Sequence, residues 1–164
     1  VPGRFTKLLP VIGALLALGG AIAIGSLHPS QQRNSVIDTS HSLTLYVSRP
    51  TGVRLLGDRC KPGDALRARY ETKASFVLIL AQGPSGEIRA VYPPNSKTSA
   101  PVPTSSGITP NAWTLDGTLG NERFIAFFST KPIEVEAARQ AVSRSKGRVS
   151  LNDAVIVERR GTKE

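Results

Sequence analysis

A run of twenty residues without a charged side chain, positions 8–27, constrains this chain more than any other feature. Twenty helical residues rise about 30 Å, which matches the hydrocarbon core of a bilayer. Arg4 and Lys7 precede the run and no acidic residue does, a bias typical of an N-terminus that stays in the cytoplasm. We therefore expect a cytoplasmic tail at 1–7, a single-pass transmembrane anchor at 8–27, and a remainder that lies in the periplasm or outside the cell.

A cleaved signal peptide is the alternative for the same segment, because Ala21-Ile22-Ala23 has the small-x-small form that signal peptidase accepts. The apolar run continues beyond this position through Ile24, which favours a retained signal anchor. Both alternatives carry the rest of the chain across the cytoplasmic membrane. The sequence begins with Val and contains no Met, so translation from a GTG codon and an upstream extension both stay open.

A row of small residues repeats every four positions along the predicted anchor: Gly13, Ala17, Ala21 and Gly25. Such a row lets two helix backbones approach closely within a membrane. It predicts a face through which two copies of the chain form a homodimer. The alternative is composition alone, because eight of the thirteen residues at 13–25 are Gly or Ala.

The chain is basic, with a formal net charge of +9. Only Arg4 and Lys7 lie before the apolar run, so residues 28–164 carry 19 basic and 12 acidic side chains, or +7. This excess attracts anionic partners or simply keeps the surface soluble. Nucleic acid is not an expected partner, because the sequence lacks zinc-finger spacing and aromatic residues interleaved with Arg and Lys.

Hydrophobic patterning after a polar linker at 28–41 predicts a β-rich domain at 42–160. Apolar and polar residues alternate from Leu43 to Val47 and again from Leu66 to Tyr70, the spacing of strands with one buried face. The segments 74–81 and 123–128 are apolar at consecutive positions, which predicts strands covered on both faces.

The C-terminal part predicts one helix that begins at Pro132, stops at Gly147, and is followed by a last strand at 154–157 and a charged tail. The segment 95–111, rich in Ser, Thr and Pro, predicts a long loop. Together these patterns indicate a mainly β (α+β) fold. We expect an antiparallel β-sandwich-like domain of seven or eight strands, with one packed C-terminal helix and one preceding transmembrane helix.

The order of these features resembles a bacterial extracytoplasmic domain family of unknown function. The motifs that carry the resemblance are Pro62-Gly63-Asp64 before a strand, the buried strand Phe76–Ala81, Val91-Tyr92-Pro93 after a hairpin, the segment Gly120–Ser129, and Pro132-Ile133. The resemblance covers roughly residues 42–143 and implies an exported domain after a single transmembrane helix, without catalytic residues. Some relatives carry a zinc-binding anti-sigma module before that helix. Here only seven residues precede the predicted anchor, and none is Cys or His.

Residues for catalysis or metal binding are scarce. Cys60 is the only cysteine, so no disulfide within the chain and no cysteine-rich metal site is expected. His28 and His41 are the only histidines, and Ser85 lies in a predicted hairpin turn. A small hydrolase built on Ser85 or His41 is therefore a remote alternative, and we expect no enzyme, no metal and no cofactor.

Two features predict binding. Six basic residues form a candidate basic strand face for anionic polymer: Arg54, Arg59, Lys61, Arg67, Arg69 and Lys73. Acidic residues interrupt this set, so a solvated surface explains it equally. Tyr92 and Trp113 bracket the long loop and form either a contact surface or part of the core.

The sequence therefore predicts a non-enzymatic, membrane-tethered extracytoplasmic interaction or sensory domain, as the outer part of a regulatory protein. The expected partners are the membrane and another envelope or signalling protein. The alternative is an envelope or secreted protein that binds anionic polymer through the basic strand face.

Overall fold

The computed structural model describes residues 40–57 and 59–164, which form two β-sheets and one helix. In chain order the strands are β1 (Ser42–Arg49), β2 (Gly52–Leu55), β3 (Arg59–Cys60), β4 (Ala65–Glu71), β5 (Phe76–Gln82), β6 (Ile88–Tyr92), β7 (Ala100–Pro101), β8 (Ser106–Ile108), β9 (Trp113–Thr114), β10 (Gly120–Ser129) and β11 (Val155–Lys163), with helix α1 (Val135–Arg144) between the last two. The predicted tail, anchor and small-residue face lie outside the described residues, as does most of the predicted linker. Among the residues that are described, no helix has the length and hydrophobicity needed to cross a membrane.

The strands divide between two sheets. Sheet A has the order β2–β1–β4–β8, and β9 also pairs with β4. Sheet B has the order β3–β11–β10–β5–β6, and β7 also pairs with β5. Every pairing between these strands is antiparallel except the short parallel pairing of β3 with β11. The prediction of a mainly β domain with one C-terminal helix is confirmed.

The two sheets face each other across a hydrophobic core. Strand β1 turns Leu43, Leu45 and Val47 inward, each at most 4% exposed. Phe124 and Phe128 of β10 meet them from sheet B. The alternation in the sequence of β1 therefore has the physical cause that was predicted, which is one buried and one open face.

Helix α1 covers the opposite side of sheet B, so this sheet is the middle layer. Val135, Ala138 and Val142 of α1 pack with Leu80 and Phe127 of the sheet in a second core. Both faces of β5 and β10 are therefore buried, which explains their runs of consecutive apolar residues. The prediction that these two strands are covered on both faces is confirmed.

The helix begins at Val135 rather than at the predicted Pro132. Glu134 has extended backbone angles, φ −69° and ψ 127°, and forms a β-bridge with Thr98. Proline fixes φ near −65°, which suits extended backbone as well as a first helical turn. The proline signal therefore marked the approach to the helix and not its first residue.

The last strand is longer than predicted. Strand β11 continues to Lys163, through residues that the sequence pattern assigned to a charged tail. Glu158 and Arg160 in this segment form ion pairs, and Glu158 also pairs with Arg123 of β10. Charged side chains with cross-strand partners are compatible with a strand, and a hydrophobic pattern does not reveal them.

The predicted loop at 95–111 contains the short strands β7 and β8. Ala100 lies opposite Val77 of β5, and Gly107 lies opposite Tyr70 of β4. Strands of two or three residues are too short to show a hydrophobic period. This is why the described part of the chain has eleven strands where seven or eight were predicted.

Candidate interaction surface

One side of sheet A faces away from the core. Alternate residues of β1 from Leu43 to Val47 are buried, so Thr44 and Tyr46 point outward. Arg69 and Arg67 of β4 lie directly opposite these two residues. Cross-strand partners share a face of the sheet, so both arginines also point outward.

Three large apolar side chains share this outward side. Their cross-strand pairs are Val53 with Ser48, Leu55 with Tyr46, and Ile108 with Arg69. Val53, Leu55 and Ile108 are 70%, 61% and 59% exposed. In the described part of the chain only one other large hydrophobic residue is comparably exposed, Leu119 before β10. Exposed apolar area is thus concentrated on one face.

We define the outer surface of sheet A by six residues: Tyr46, Val53, Leu55, Arg67, Arg69 and Ile108. Five of these, all but Leu55, line a shallow depression of about 570 Å³. Arg69 forms an ion pair with Glu71 at 3.2 Å, and both side chains are about half exposed. The surface therefore combines apolar side chains with one net positive charge, that of Arg67.

The predicted basic strand face is divided in the structure. Arg67 and Arg69 lie together on the outer surface, but Arg54 lies opposite the buried Val47 and so belongs to the other side of sheet A. Arg59 lies in sheet B and pairs with Glu164 at 3.2 Å. The remaining two lysines lie in exposed turns next to β4. Binding of a polymer along one strand face would need a continuous row that these six residues do not form.

Tyr92 and Trp113 both pack against the first core and are half-buried. The Trp113 ring lies 6.1 Å from the ring of Phe124. Its indole nitrogen is buried and has no hydrogen-bond partner among the described residues. By these contacts Tyr92 and Trp113 complete the first core.

His41 and Ser85 lie at opposite ends of sheet B. The His41 ring stacks on Phe128 with ring centroids 5.3 Å apart, and its Nδ1 is 2.5 Å from the hydroxyl of Thr72. Ser85 lies in the turn after β5, next to Pro84, and the Pro84 side chain lies beside Gly120 at the start of β10. From Gly120 to Phe128 a strand extends about 26 Å, at roughly 3.3 Å per residue. The structure therefore does not bring this serine and histidine together.

Cys60 ends β3 and is 1% exposed. Burial is the main reason that the pKa of its thiol is raised, and the negative charges of Glu122 and Asp64 add to the effect. A buried thiol of high pKa has the character of a structural residue. In residues 40–57 and 59–164, no three side chains of His, Cys, Asp or Glu are grouped so that they could hold a metal ion.

Sequence reasoning missed the apolar part of the outer surface. Val53 and Leu55 are two residues apart after a turn, a spacing that already indicates a shared face. Which face that is depends on the pairing of Leu55 with Tyr46. The outward position of these residues is therefore visible only once the register of β1 and β2 is known.

Comparisons of this chain with models of protein families, with characterised proteins and with solved structures found no match.

Proposed function

We propose that this chain is a membrane-tethered extracytoplasmic interaction domain without catalytic activity, and that it binds a protein partner through the outer surface of sheet A. The observation that carries the proposal is the clustering of Val53, Leu55 and Ile108 on one face that no described element covers. The uncharged run at 8–27 supports the tether. The resemblance to domains that follow a single transmembrane helix supports the tether and the absence of catalysis.

The chemistry of the outer surface suits a protein partner. The centre of a protein interface is enriched in tyrosine and arginine and is more apolar than the rest of the protein surface. Tyr46 offers an apolar ring next to Leu55, and Arg67 offers a planar group of donors for a carboxylate. We therefore expect an apolar partner surface that carries an acidic residue opposite Arg67.

The size of the apolar cluster bears on the location of the partner. Burying three side chains that are now about two-thirds exposed contributes roughly 3–6 kcal/mol. Association of two free proteins costs about 4–15 kcal/mol in lost motion, so this cluster alone gives weak binding in solution. Attachment of both proteins to one membrane raises their effective concentration and reduces that cost. The proposed partner is therefore another membrane or envelope protein, and the chain is the outer part of a regulatory assembly.

Photo-cross-linking of the full chain in its native cells tests the interface. A photoreactive amino acid is placed at Val53 or at Ile108, and a matched control carries it at Leu119, which is 61% exposed but lies outside both sheets. We expect a discrete cross-linked species from the first two positions and none from the control. Loss of that species in the variant Leu55→Ser with the probe at 53 would identify the outer surface as the contact.

Equal cross-linking from all three positions, or none from 53 and 108, would overturn the proposed interface.

The tether is tested separately with the same full chain. We expect the chain to resist extraction from membranes by alkaline carbonate. We also expect protease to reach the domain from outside the cell membrane. Release by carbonate would refute the retained anchor without bearing on the interface. A metal that copurifies in stoichiometric amount would argue against a purely binding role.

A further inference from the structure

Five basic side chains lie around the C-terminal end of helix α1. They line three adjoining depressions of about 590, 620 and 520 Å³. The first and third share Ser145, and the second and third share Arg148 and Ser150. We define the helix-end basic surface by these side chains: Arg123, Arg144, Lys146, Arg148 and Arg160. Glu158 is the only acidic residue that lines any of the three depressions, so the surface carries a net charge of +4.

The centre of this surface is a cross-strand pair of arginines. Arg123 of β10 lies directly opposite Arg160 of β11, so two like charges face each other. A single carboxylate, Glu158, bridges them: it accepts hydrogen bonds from Arg123 at 3.0 and 2.9 Å and from Arg160 at 2.7 Å. The pairing with Arg123, followed by that with Arg160, holds the pKa of Glu158 below its ordinary value despite its burial. One negative charge is thus shared between two cations.

Within the described residues, Glu158 is the only acidic side chain that forms an ion pair with any of these five cations. Arg123 uses its other terminal nitrogen on Gln82, whereas Arg160 engages only Nε with Glu158. Lys146 and Arg148 make no ion pair with any residue in 40–57 or 59–164. The dipole of α1 attracts cations to this end, but it amounts to about half an elementary charge. This partial charge therefore cannot balance the net charge of +4 on the surface.

Neutral hydrogen-bonding groups stand beside these charges. Asn121 and Thr162 form the next cross-strand pair on the same face of β10 and β11, two residues along from Arg123 and Arg160, and Ser145 follows the helix. All three line the same depression as Arg123 and Arg160. The hydroxyls of Thr162 and Ser145 donate to Asn121 Oδ1 at 3.1 Å and to the Val142 carbonyl at 2.8 Å, so the Asn121 amide nitrogen is the neutral donor that remains for a ligand. Guanidinium forks, an ammonium group and this amide around one depression match the several oxygens of a phosphoryl group better than the two of a carboxylate.

We propose that the helix-end basic surface binds phosphoryl groups, in the form of a polyanion or of lipid headgroups. This site is separate from the outer surface of sheet A and does not depend on the partner proposed above. It differs also from the basic strand face that the sequence suggested, since it shares none of those six residues. Its members come from β10, from the end of α1 and the segment that follows it, and from β11.

Calorimetric titration of the full chain in a nonionic detergent tests the site. The probes are inorganic polyphosphate and, in a second arm, a water-soluble short-chain phosphatidylglycerol. We expect binding that weakens as salt is added, because charge contacts dominate it. The double variant Lys146→Gln/Arg148→Gln should bind at least about tenfold more weakly, because two charged contacts are lost.

A matched control has the same change in net charge. Lys61→Gln/Lys73→Gln removes two exposed positive charges that lie outside the three depressions. It should bind within about twofold of the unaltered chain. Binding of polyphosphate alone identifies a soluble or polymeric source of phosphate, and binding of the lipid alone identifies headgroups. Equal losses in both double variants, or no binding of either probe, would overturn the proposal.

Discussion

Lys163 Nζ lies 2.6 Å from Oε1 of Glu122, and the two side chains are only 0% and 1% exposed. The same Nζ is 2.5 Å from Oδ1 of Asp116, which is 44% exposed. Neither oxygen of Glu122 accepts a well-aligned hydrogen bond from a described residue, so the charge of Lys163 is its compensation. Burial opposes the charged form of Lys163, but Asp116 and Glu122 outweigh it, and its pKa is raised. This pair fixes the end of β11 to β10.

Replacing Lys163 with Met should lower the free energy of unfolding by about 3–5 kcal/mol, because it leaves Glu122 as an uncompensated buried charge. The measurement is urea unfolding of the chain in detergent, followed by circular dichroism. Lys73→Met is the control, since Lys73 is exposed and should change stability by less than about 0.5 kcal/mol.

The double variant Glu122→Gln/Lys163→Met removes both buried charges. It should recover a large part of the stability lost in Lys163→Met, since an amide is less costly to bury than a carboxylate. A double variant no more stable than Lys163→Met would show that shape, and not charge, is what this pair supplies.

The ion pair of Asp64 with Arg49 makes the stability of the fold depend on pH. Its carboxylate accepts hydrogen bonds from the Arg49 guanidinium at 2.6 and 2.5 Å and from the backbone N–H of Lys61 at 2.8 Å. The Arg49 guanidinium is the main reason that the pKa of Asp64 lies below the ordinary 3.8. A carboxyl group with a lowered folded pKa stabilises the fold above its unfolded pKa, and that contribution is lost as the pH falls through the folded value.

Asp64→Asn should therefore be less stable than the unaltered chain at neutral pH, by an amount that shrinks as the pH drops below about 4. Urea midpoints of both chains between neutral pH and pH 3 measure this. A difference that stays constant over the whole range would mean that the carboxylate charge of Asp64 contributes nothing.

Gly107 is required by its neighbour Tyr70. A Cβ atom at position 107 would lie 2.5 Å from the hydroxyl and 2.7 Å from Cζ of Tyr70, whose side chain is only 4% exposed and so has little room to move. Gly107→Ala should cost about 1–3 kcal/mol of stability through overpacking. Gly117→Ala is the control, because nothing lies within 4 Å of its added Cβ. Equal midpoints in urea for the two variants would contradict this packing.

The layered core could be predicted because its pattern is local. Alternation around Leu45 reports one buried face, and the unbroken apolar run around Leu78 reports two. Each of these strands carries the signal within its own seven or eight residues. The same signal implies a covering layer on each side of sheet B, and sheet A and α1 are these two layers.

The sites could not be predicted, because they depend on pairs distant in the sequence. Arg123 and Arg160 are neighbours only through the register of β10 and β11. Ile108 joins Leu55 on the outer surface only through two intervening strands of sheet A. Charge patterning along the chain instead emphasised Arg54, which the pairing of β1 and β2 turns to the other side.

Cys60 offers a direct measure of how firmly the C-terminal strand is held. Cys60 of β3 pairs in register with Lys163 of β11 and is 1% exposed, so a thiol reagent reaches it only when this edge of sheet B opens. In the folded chain at mildly alkaline pH we expect labelling at least about a thousandfold slower than in urea, because labelling follows the population of the open form. Lys163→Met should accelerate labelling by about a hundredfold or more, in proportion to the stability that it removes. Lys73→Met should leave the rate unchanged. Fast labelling of the unaltered chain would show that β3 opens on its own and that the Lys163–Glu122 pair does not hold this edge.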